Sequence, residues 1–252
     1  MFHGLAKGMF ASPCRDTDIH LHDMETLNRL AMKGTYDVTK VSFHTYFLVQ
    51  DEYELLNVGA AMGYDCGPVV VSAKDLQPSD LSSSRIAVPG ELTTAHLLLQ
   101  LWAPQARNRI FARYDEIMDL VSSGQVDVGV IIHEGRFTYH RSGFCLLVDL
   151  GQWWREQTDL PVPLGGIVAR KNLGQETIRE FEVLLRKAIE NAIGNPEAAC
   201  EYASQHAQEM DEAVLAEHIK TFVNDYSLDL GADGRSAIEK LRELARAGGL
   251  IP

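Results

Sequence analysis

Apolar residues in the first part of the chain change their spacing from alternation to a helical repeat and back. Residues 18–23, DIHLHD, alternate as a short strand, and Met24–Ala31 then place apolar side chains on one helix face. Gly34 ends this predicted helix, and the apolar stretch VTKVSFHTYFLV after it predicts a second strand. Such a unit normally has parallel neighbouring strands. A glycine-punctuated turn then leads to a compact apolar run, Val69–Val71.

A second unit of the same kind begins with a predicted strand at Arg85–Val88. The turn Pro89–Gly90 follows it, and Thr93 or Thr94 can then cap a helix that continues through Leu101.

The remaining pattern adds two strands and a long helical tail. A strand in RNRIFARY and a helix ended by Gly124 precede an apolar strand that leads to His133, and GGIVARKN predicts one more strand. From Gly174 to Ala247 the periodicity is helical, with breaks at Asn195–Pro196 and Gly231.

Two alternating strand–helix units followed by helices predict an α/β protein with a helical C-terminal segment. The chain crosses between the units near Val71–Lys74 and returns near Gly165–Arg170, which indicates two lobes that face a cleft. Ligands of open parallel sheets bind beyond the carboxyl ends of strands. We therefore look for chemistry at the strand ends.

The composition is that of a soluble globular protein and narrows the classes of function. The 252 residues are 46% hydrophobic and carry a formal net charge of −12, so a nucleic-acid partner is disfavoured. No apolar run is long enough for a membrane-spanning helix, and the N-terminus lacks the pattern of a signal peptide. The four cysteines are widely spaced, which favours reduced thiols and a cytoplasmic location.

Two polar segments have the residue types of an anion site. Lys40 and Ser42 interrupt an apolar strand two residues apart, so they share a face, where an ammonium beside a hydroxyl suits a carboxylate. Thr93 and Thr94 lie at a predicted helix start, where free N–H groups and the helix dipole favour an anion. The alternatives are a solvated edge strand for the first segment and simple helix capping for the second.

His133 is the strongest candidate for a catalytic residue. It ends an apolar strand and is followed by Glu134, Gly135 and Arg136. A histidine titrates near neutral pH and can accept a proton from a substrate, with Glu134 or Arg136 as the group that orients or tunes it. The alternative is a structural histidine that is hydrogen-bonded in the core. The pair His20 and His22 lacks the ligands of a complete metal site.

Several segments, taken in order, resemble one enzyme family over nearly the whole chain. They are DVTKVSFHTYF, GPVVVSAKDL, IAVPGELTTAHLLLQL, SGQVDVGVIIHEGRFTY, DLGQWWREQTDLPVPLGGIVARK and the tail segment HIKTFVNDYSLDLG. The family is the 1,4-dihydroxy-6-naphthoate synthases of the futalosine route to menaquinone, which are related to chorismate dehydratase and to solute-binding proteins.

The resemblance implies a lyase that cleaves cyclic dehypoxanthinyl futalosine to dihydroxynaphthoate and releases dihydroxyacetone, with neither a metal nor another cofactor. It implies that His133 is the proton acceptor and that the substrate, a small carboxylate, is bound by two segments. These segments are Lys40, Val41 and Ser42, and Thr93 and Thr94.

The implied fold is a two-lobed periplasmic-binding-protein type II-like fold with a cleft between the lobes. Lobe one comprises residues 1–72 and 167–252, without the first strand that the relatives have, and lobe two comprises residues 73–166. Two rival interpretations are a chorismate dehydratase, which is not expected to carry IIHEGRFTY, and a non-catalytic solute-binding protein for a small carboxylate.

Overall fold

The computed structural model describes residues 3–6, 8–9, 18–204 and 211–252, which form two β-sheets with helices packed around them. The strands are β1 (Val38–Ser42), β2 (Tyr53–Leu55), β3 (Ala61–Gly63), β4 (Val69–Ser72), β5 (Ile86–Val88), β6 (Arg109–Phe111), β7 (Val128–Ile131), β8 (Cys145–Asp149) and β9 (Val162–Arg170). The helices are α1 (His3–Ala6), α2 (Met24–Met32), α3 (Phe43–Val49), α4 (Thr94–Trp102), α5 (Ile117–Ser122), α6 (Gly135–Thr138), α7 (Leu150–Thr158), α8 (Gln175–Gly194), α9 (Pro196–Ser204), α10 (Glu212–Phe222), α11 (Asp225–Leu228) and α12 (Gly231–Ala247).

The first sheet is built around β9, with which β1, β2 and β3 all pair in antiparallel fashion. The prediction of a parallel strand pair in the first unit is wrong, because residues 18–23 form no strand in the described part of the chain and β1 pairs with β9 in antiparallel fashion. Asp23 instead caps α2, and its carboxylate accepts hydrogen bonds from the backbone N–H and the hydroxyl of Thr26. β1 is therefore at an edge of this sheet.

The predicted strand through Val49 ends early, since the chain enters α3 directly after Ser42. Phe43 and Phe47 are one helical turn apart and both are buried in the main core, where a helix places them on the same face. A short apolar run has no periodicity that separates a buried strand from a buried helix, and tertiary packing decided for the helix.

The second sheet has the strand order β6-β5-β7-β4-β8. β5 runs parallel to β6 and to β7, whereas β4 is antiparallel to β7 and β8. The carboxyl ends of β5 and β7 therefore lie at the same edge of the sheet. The segments that begin at Pro89 and at Ile132 therefore leave the sheet at this edge.

The chain passes between the sheets at Cys66–Val69 and again near Val162. β4 lies in the second sheet although it precedes the predicted boundary at residue 73, and β9 begins before the predicted boundary at residue 167. The division into two lobes with those boundaries stays a prediction. Beyond the two units, β8 and α7 form a further strand and helix for which no element was predicted.

The largest apolar cluster connects the two sheets through α4, α7 and α12. Its fully buried members include Phe43, Leu98, Trp154 and Leu241, and the indole N–H of Trp154 donates to the carbonyl of Pro161 at 3.0 Å. The breaks predicted in the helical tail are confirmed, because α8 stops before Asn195 and α12 starts at residue 231. Among the described helices, none has the length and the apolar character that a membrane crossing requires.

Candidate active site

A cavity of about 710 Å³ is lined by residues of β1 and β9 in the first sheet and by residues of the segments that follow β6 and β7 of the second. Its polar lining includes Asp23, Lys40, Tyr114, His133 and Glu134, and its apolar lining includes residues of β9 and α8. The volume is within the usual range of roughly 300–1,000 Å³ for small-molecule sites. The predicted proton acceptor and one predicted substrate-binding residue therefore share one cavity.

His133 is placed in this cavity by an uncommon backbone turn. All four residues of β7 are buried, and after Ile132 the chain turns away from the sheet with His133 at φ 55°, in the left-handed region. This conformation is uncommon for a side chain larger than glycine and is a type of strain that occurs at functional sites. The imidazole lies edge-on to the ring of Tyr114, with 4.8 Å between the ring centroids.

The surroundings of His133 keep its imidazole neutral. Burial lowers the pKa of His133 to about 4, and the nearby charges of His218 and Lys40 act in the same direction, whereas Glu134 and Asp23 act to raise it. A neutral imidazole has a free nitrogen lone pair near neutral pH, which is the form that accepts a proton.

Glu134 is adjacent in sequence but faces His218 of α10. Its Oε1 lies 3.1 Å from Nδ1 of His218, and both side chains are largely buried. Burial acts to raise the pKa of Glu134, but the hydrogen bond from His218 and the charge of that ring outweigh it and lower the pKa to about 2. Glu134 is therefore a carboxylate close to His133.

Lys40 extends from β1 into the same cavity, and burial lowers the pKa of its ammonium group. Within the described part of the chain it forms no ion pair. Its charge is close enough to His133 to lower the pKa of that ring. A half-buried ammonium with no ion-pair partner among the described residues suits an anionic ligand group.

The other predicted substrate-binding residues do not line this cavity. Val41 is fully buried in a separate apolar cluster with Tyr53 and Val168. The backbone N–H of Ser42 donates to Oδ1 of Asn28 at 2.9 Å, and its hydroxyl accepts from Nδ2 of the same residue at 3.1 Å. Their roles in substrate binding stay predictions.

Thr93 and Thr94 lie at the start of α4, as predicted, and Thr93 is its N-cap. The Thr93 hydroxyl donates to the carbonyl of Gly90 and accepts from the N–H of His96, while the Thr94 hydroxyl donates to the carbonyl of Leu164. Both side chains are buried and already hydrogen-bonded. The capping interpretation is confirmed for Thr93, whereas an anion-binding role for this segment stays a prediction.

Arg136 does not orient His133. Its guanidinium donates to the carbonyls of Asp65 and Gly67 and forms an ion pair with Asp149 at 2.9 Å. Arg136 thereby connects α6 to the turn before β4 and to the start of α7. Of the two neighbours that the sequence offered as tuning groups, Glu134 is the one that acts on His133.

His218 and Tyr114 are residues of this site that the sequence reasoning missed as such. Each contacts His133 through an edge-to-face ring pair, although they come from distant parts of the chain. The signal for His218 was its place in the tail segment HIKTFVNDYSLDLG. His20 and His22 line the cavity too, but no cluster of three or more metal-ligating side chains occurs within the described ranges.

Comparisons with known proteins show to which family the chain belongs. The model of a family described as menaquinone biosynthesis matches residues 1–247. The chain is 44% identical over 250 residues to the 1,4-dihydroxy-6-naphthoate synthase of Thermus thermophilus, covering 99% of this chain and 90% of the relative. It is 41% identical over 240 residues to the enzyme of that name from Streptomyces coelicolor, covering 93% and 84%.

Solved structures agree with the predicted fold. The crystal structure of protein AF1704 from Archaeoglobus fulgidus is 38% identical and superposes with a TM-score of 0.94, covering 99% of this chain and 93% of that one. The alkanesulfonate-binding protein SsuA from Xanthomonas axonopodis is 16% identical with a TM-score of 0.63, covering 90% and 80%. The prediction of a periplasmic-binding-protein-like α/β fold is confirmed, and the chain is an enzyme that belongs to the menaquinone biosynthesis family.

Proposed function

We propose that this enzyme is a carbon–carbon lyase, a 1,4-dihydroxy-6-naphthoate synthase, that converts cyclic dehypoxanthinyl futalosine to 1,4-dihydroxy-6-naphthoate and releases dihydroxyacetone. The two curated relatives carry this name and support the product. The proposal depends mainly on one observation: the imidazole of His133 lies in a cavity of suitable size, where its lowered pKa keeps it neutral.

In the proposed reaction, His133 removes a hydroxyl proton from the sugar-derived ring of the substrate. The oxygen then forms a carbonyl while the adjacent carbon–carbon bond breaks in retro-aldol fashion, and its electron pair stays with the ring system that becomes aromatic. Aromatisation supplies much of the driving force, so the chain needs to provide a base and an oriented site. A well-placed general base contributes roughly 10²–10⁴ in rate.

Lys40 is proposed to hold the substrate carboxylate. It extends into the cavity that contains His133, and it has no ion-pair partner among the described residues. A carboxylate bound there neutralises the ammonium that burial disfavours, so substrate binding and charge compensation occur together. Val41, Ser42, Thr93 and Thr94 remain proposed contributors to substrate binding, after closure of the two lobes around the ligand.

The test is turnover of cyclic dehypoxanthinyl futalosine by the wild-type protein and by His133→Asn, with formation of dihydroxynaphthoate as the readout. We expect loss of kcat by about 10²-fold or more in the variant, with nearly unchanged binding of the product. An unchanged kcat in His133→Asn would show that His133 is not the base.

The acidic limb of the pH profile gives a second check. Because burial lowers the pKa of His133 to about 4, the base stays deprotonated well below the ordinary value near 6.5. We expect kcat/KM to remain high at pH 6 and to fall only as the pH approaches the lowered pKa. A decline centred near 6.5 would contradict the geometry of this site.

The same assay separates the rival interpretations. A non-catalytic solute-binding protein would return its ligand unchanged, and a chorismate dehydratase would convert chorismate instead. We further propose a cytoplasmic location, since the pathway intermediates that this reaction would link are small soluble carboxylates.

A further inference from the structure

A residue of the helical tail, His218, packs edge-on against the ring of His133. The ring centroids of His133 and His218 are 5.9 Å apart, with an interplanar angle of 86°. On its other side His218 packs edge-on against Phe222 at 4.8 Å, and its Nδ1 lies 3.1 Å from the Glu134 carboxylate. His218 is thus fixed in place by contacts on several sides.

The helix that carries His218 packs with elements of the first sheet, whereas His133 follows a strand of the second. α10 packs against α9 and against β3 of the first sheet, whereas Glu134 follows β7 of the second sheet. A second ion pair, between Arg141 and Asp211 at 3.3 Å, connects the start of α10 to the same segment of the chain. The pairs His218–Glu134 and Arg141–Asp211 together attach α10 to the segment that follows β7 and contains His133.

We propose that His218, held by Glu134, is a positioning residue that fixes the ring of His133 and keeps it in the proton-accepting form. This inference rests on the proposed function, in which His133 is the base. His218 does not line the cavity, so it acts through His133 and through Glu134 and does not touch the substrate.

In this proposal, His218 and Glu134 have opposite effects on the protonation of His133. Of the titratable groups that face His133, Lys40 and His218 disfavour its protonation, Glu134 and Asp23 favour it, and Tyr114 packs against the ring. Without His218, the Glu134 carboxylate loses its hydrogen-bonding partner and stays beside His133. Protonation of His133 then becomes easier.

The experiment compares His218→Asn with Arg141→Ala in the full-length protein. Protein labelled with ¹³C in its histidine rings is titrated by NMR, and the resonance of His133 is assigned by its absence in His133→Asn. We expect the titration midpoint of His133 to move upward by about one pH unit or more in His218→Asn. Arg141→Ala removes the second ion pair of α10 and should leave the midpoint unchanged.

Steady-state kinetics provide the functional readout. In His218→Asn the acidic limb of kcat/KM should shift upward with the NMR midpoint, and kcat at neutral pH should fall on the order of tenfold while KM changes little. An unmoved midpoint in His218→Asn, or an equal shift in Arg141→Ala, would overturn the positioning role. The NMR titration needs no turnover, so failure of the proposed reaction is distinguished from failure of this inference.

Discussion

Arg136 follows the proposed base by three residues, yet its contacts in the structure stabilise the fold and do not involve His133. Its guanidinium forms an ion pair with Asp149, and the two side chains are only 11% and 16% exposed. It also donates to the carbonyls of Gly67 and Asp65. Replacement by alanine would leave these acceptors without their partner, and the proposed base would keep its own neighbours.

The magnitude follows from the burial of each acceptor. Breaking a buried ion pair by removing one partner costs roughly 3–5 kcal/mol, and a buried carbonyl that loses its only donor costs roughly 1–3 kcal/mol. Asp149 keeps the N–H groups of Gly151 and Gln152 as donors, and the carbonyl of the exposed Asp65 can bind water. We therefore expect Arg136→Ala to lower the free energy of unfolding by about 3 kcal/mol.

The assay is urea unfolding at neutral pH, followed by circular dichroism and by tryptophan fluorescence. Arg155→Ala is the matched control, since Arg155 pairs with Asp65 at 2.7 Å but both side chains are about half exposed, at 51% and 55%. Exposed pairs contribute roughly 0–1 kcal/mol. Equal losses of stability in the two variants would refute the argument from burial. We also expect Arg136→Ala to retain the acidic limb of kcat/KM, because Arg136 does not contact His133.

Further predictions concern stability. Lys40→Met should raise the free energy of unfolding by roughly 0.5–2 kcal/mol, because burial disfavours the ammonium, and denaturant titration measures this change. The same variant should have a higher KM for the substrate, which steady-state kinetics would show. Gly67→Ala should cost about 3 kcal/mol or more, since a Cβ there would lie 2.2 Å from the backbone nitrogen of Gly151. Gly124→Ala, at φ 69° in open space, should cost only about 1–2 kcal/mol, and thermal unfolding of both variants checks the difference. The folded-state pKa of His133, about 4, lies below its ordinary 6.5, so its contribution to stability is full above pH 6.5 and is lost as the pH falls towards 4. His133→Asn should therefore lose about 2 kcal/mol less stability than the wild type between pH 7 and pH 5, as measured by urea unfolding at both values.

The sequence by itself was sufficient for the elements whose signals are local. The β5–α4 unit, the Thr93 cap, the strand before His133 and the breaks in the helical tail all follow from residues close together in the chain. Apolar periodicity, capping residues and glycine or proline breaks act over a few residues, so they can be read without knowledge of the fold. The resemblance of extended motifs carried the family assignment and the choice of His133.

Only the tertiary structure decided which distant residues meet at the site. Residues 18–23 form no strand within the described ranges, and the run after Ser42 became a helix because Phe43 and Phe47 are buried together. The sequence left open whether Glu134 or Arg136 contacts His133, since both are neighbours of His133 in the chain.

The answer depends on α10, which lies about eighty residues further along the chain and brings His218 to Glu134. Arg136 instead turns to the carbonyls before β4 and to Asp149. Charges and hydrogen bonds act through space, and their partners are set by chain packing over long sequence separations. For this reason the proposed base could be chosen from the sequence, whereas the residues that surround it could not.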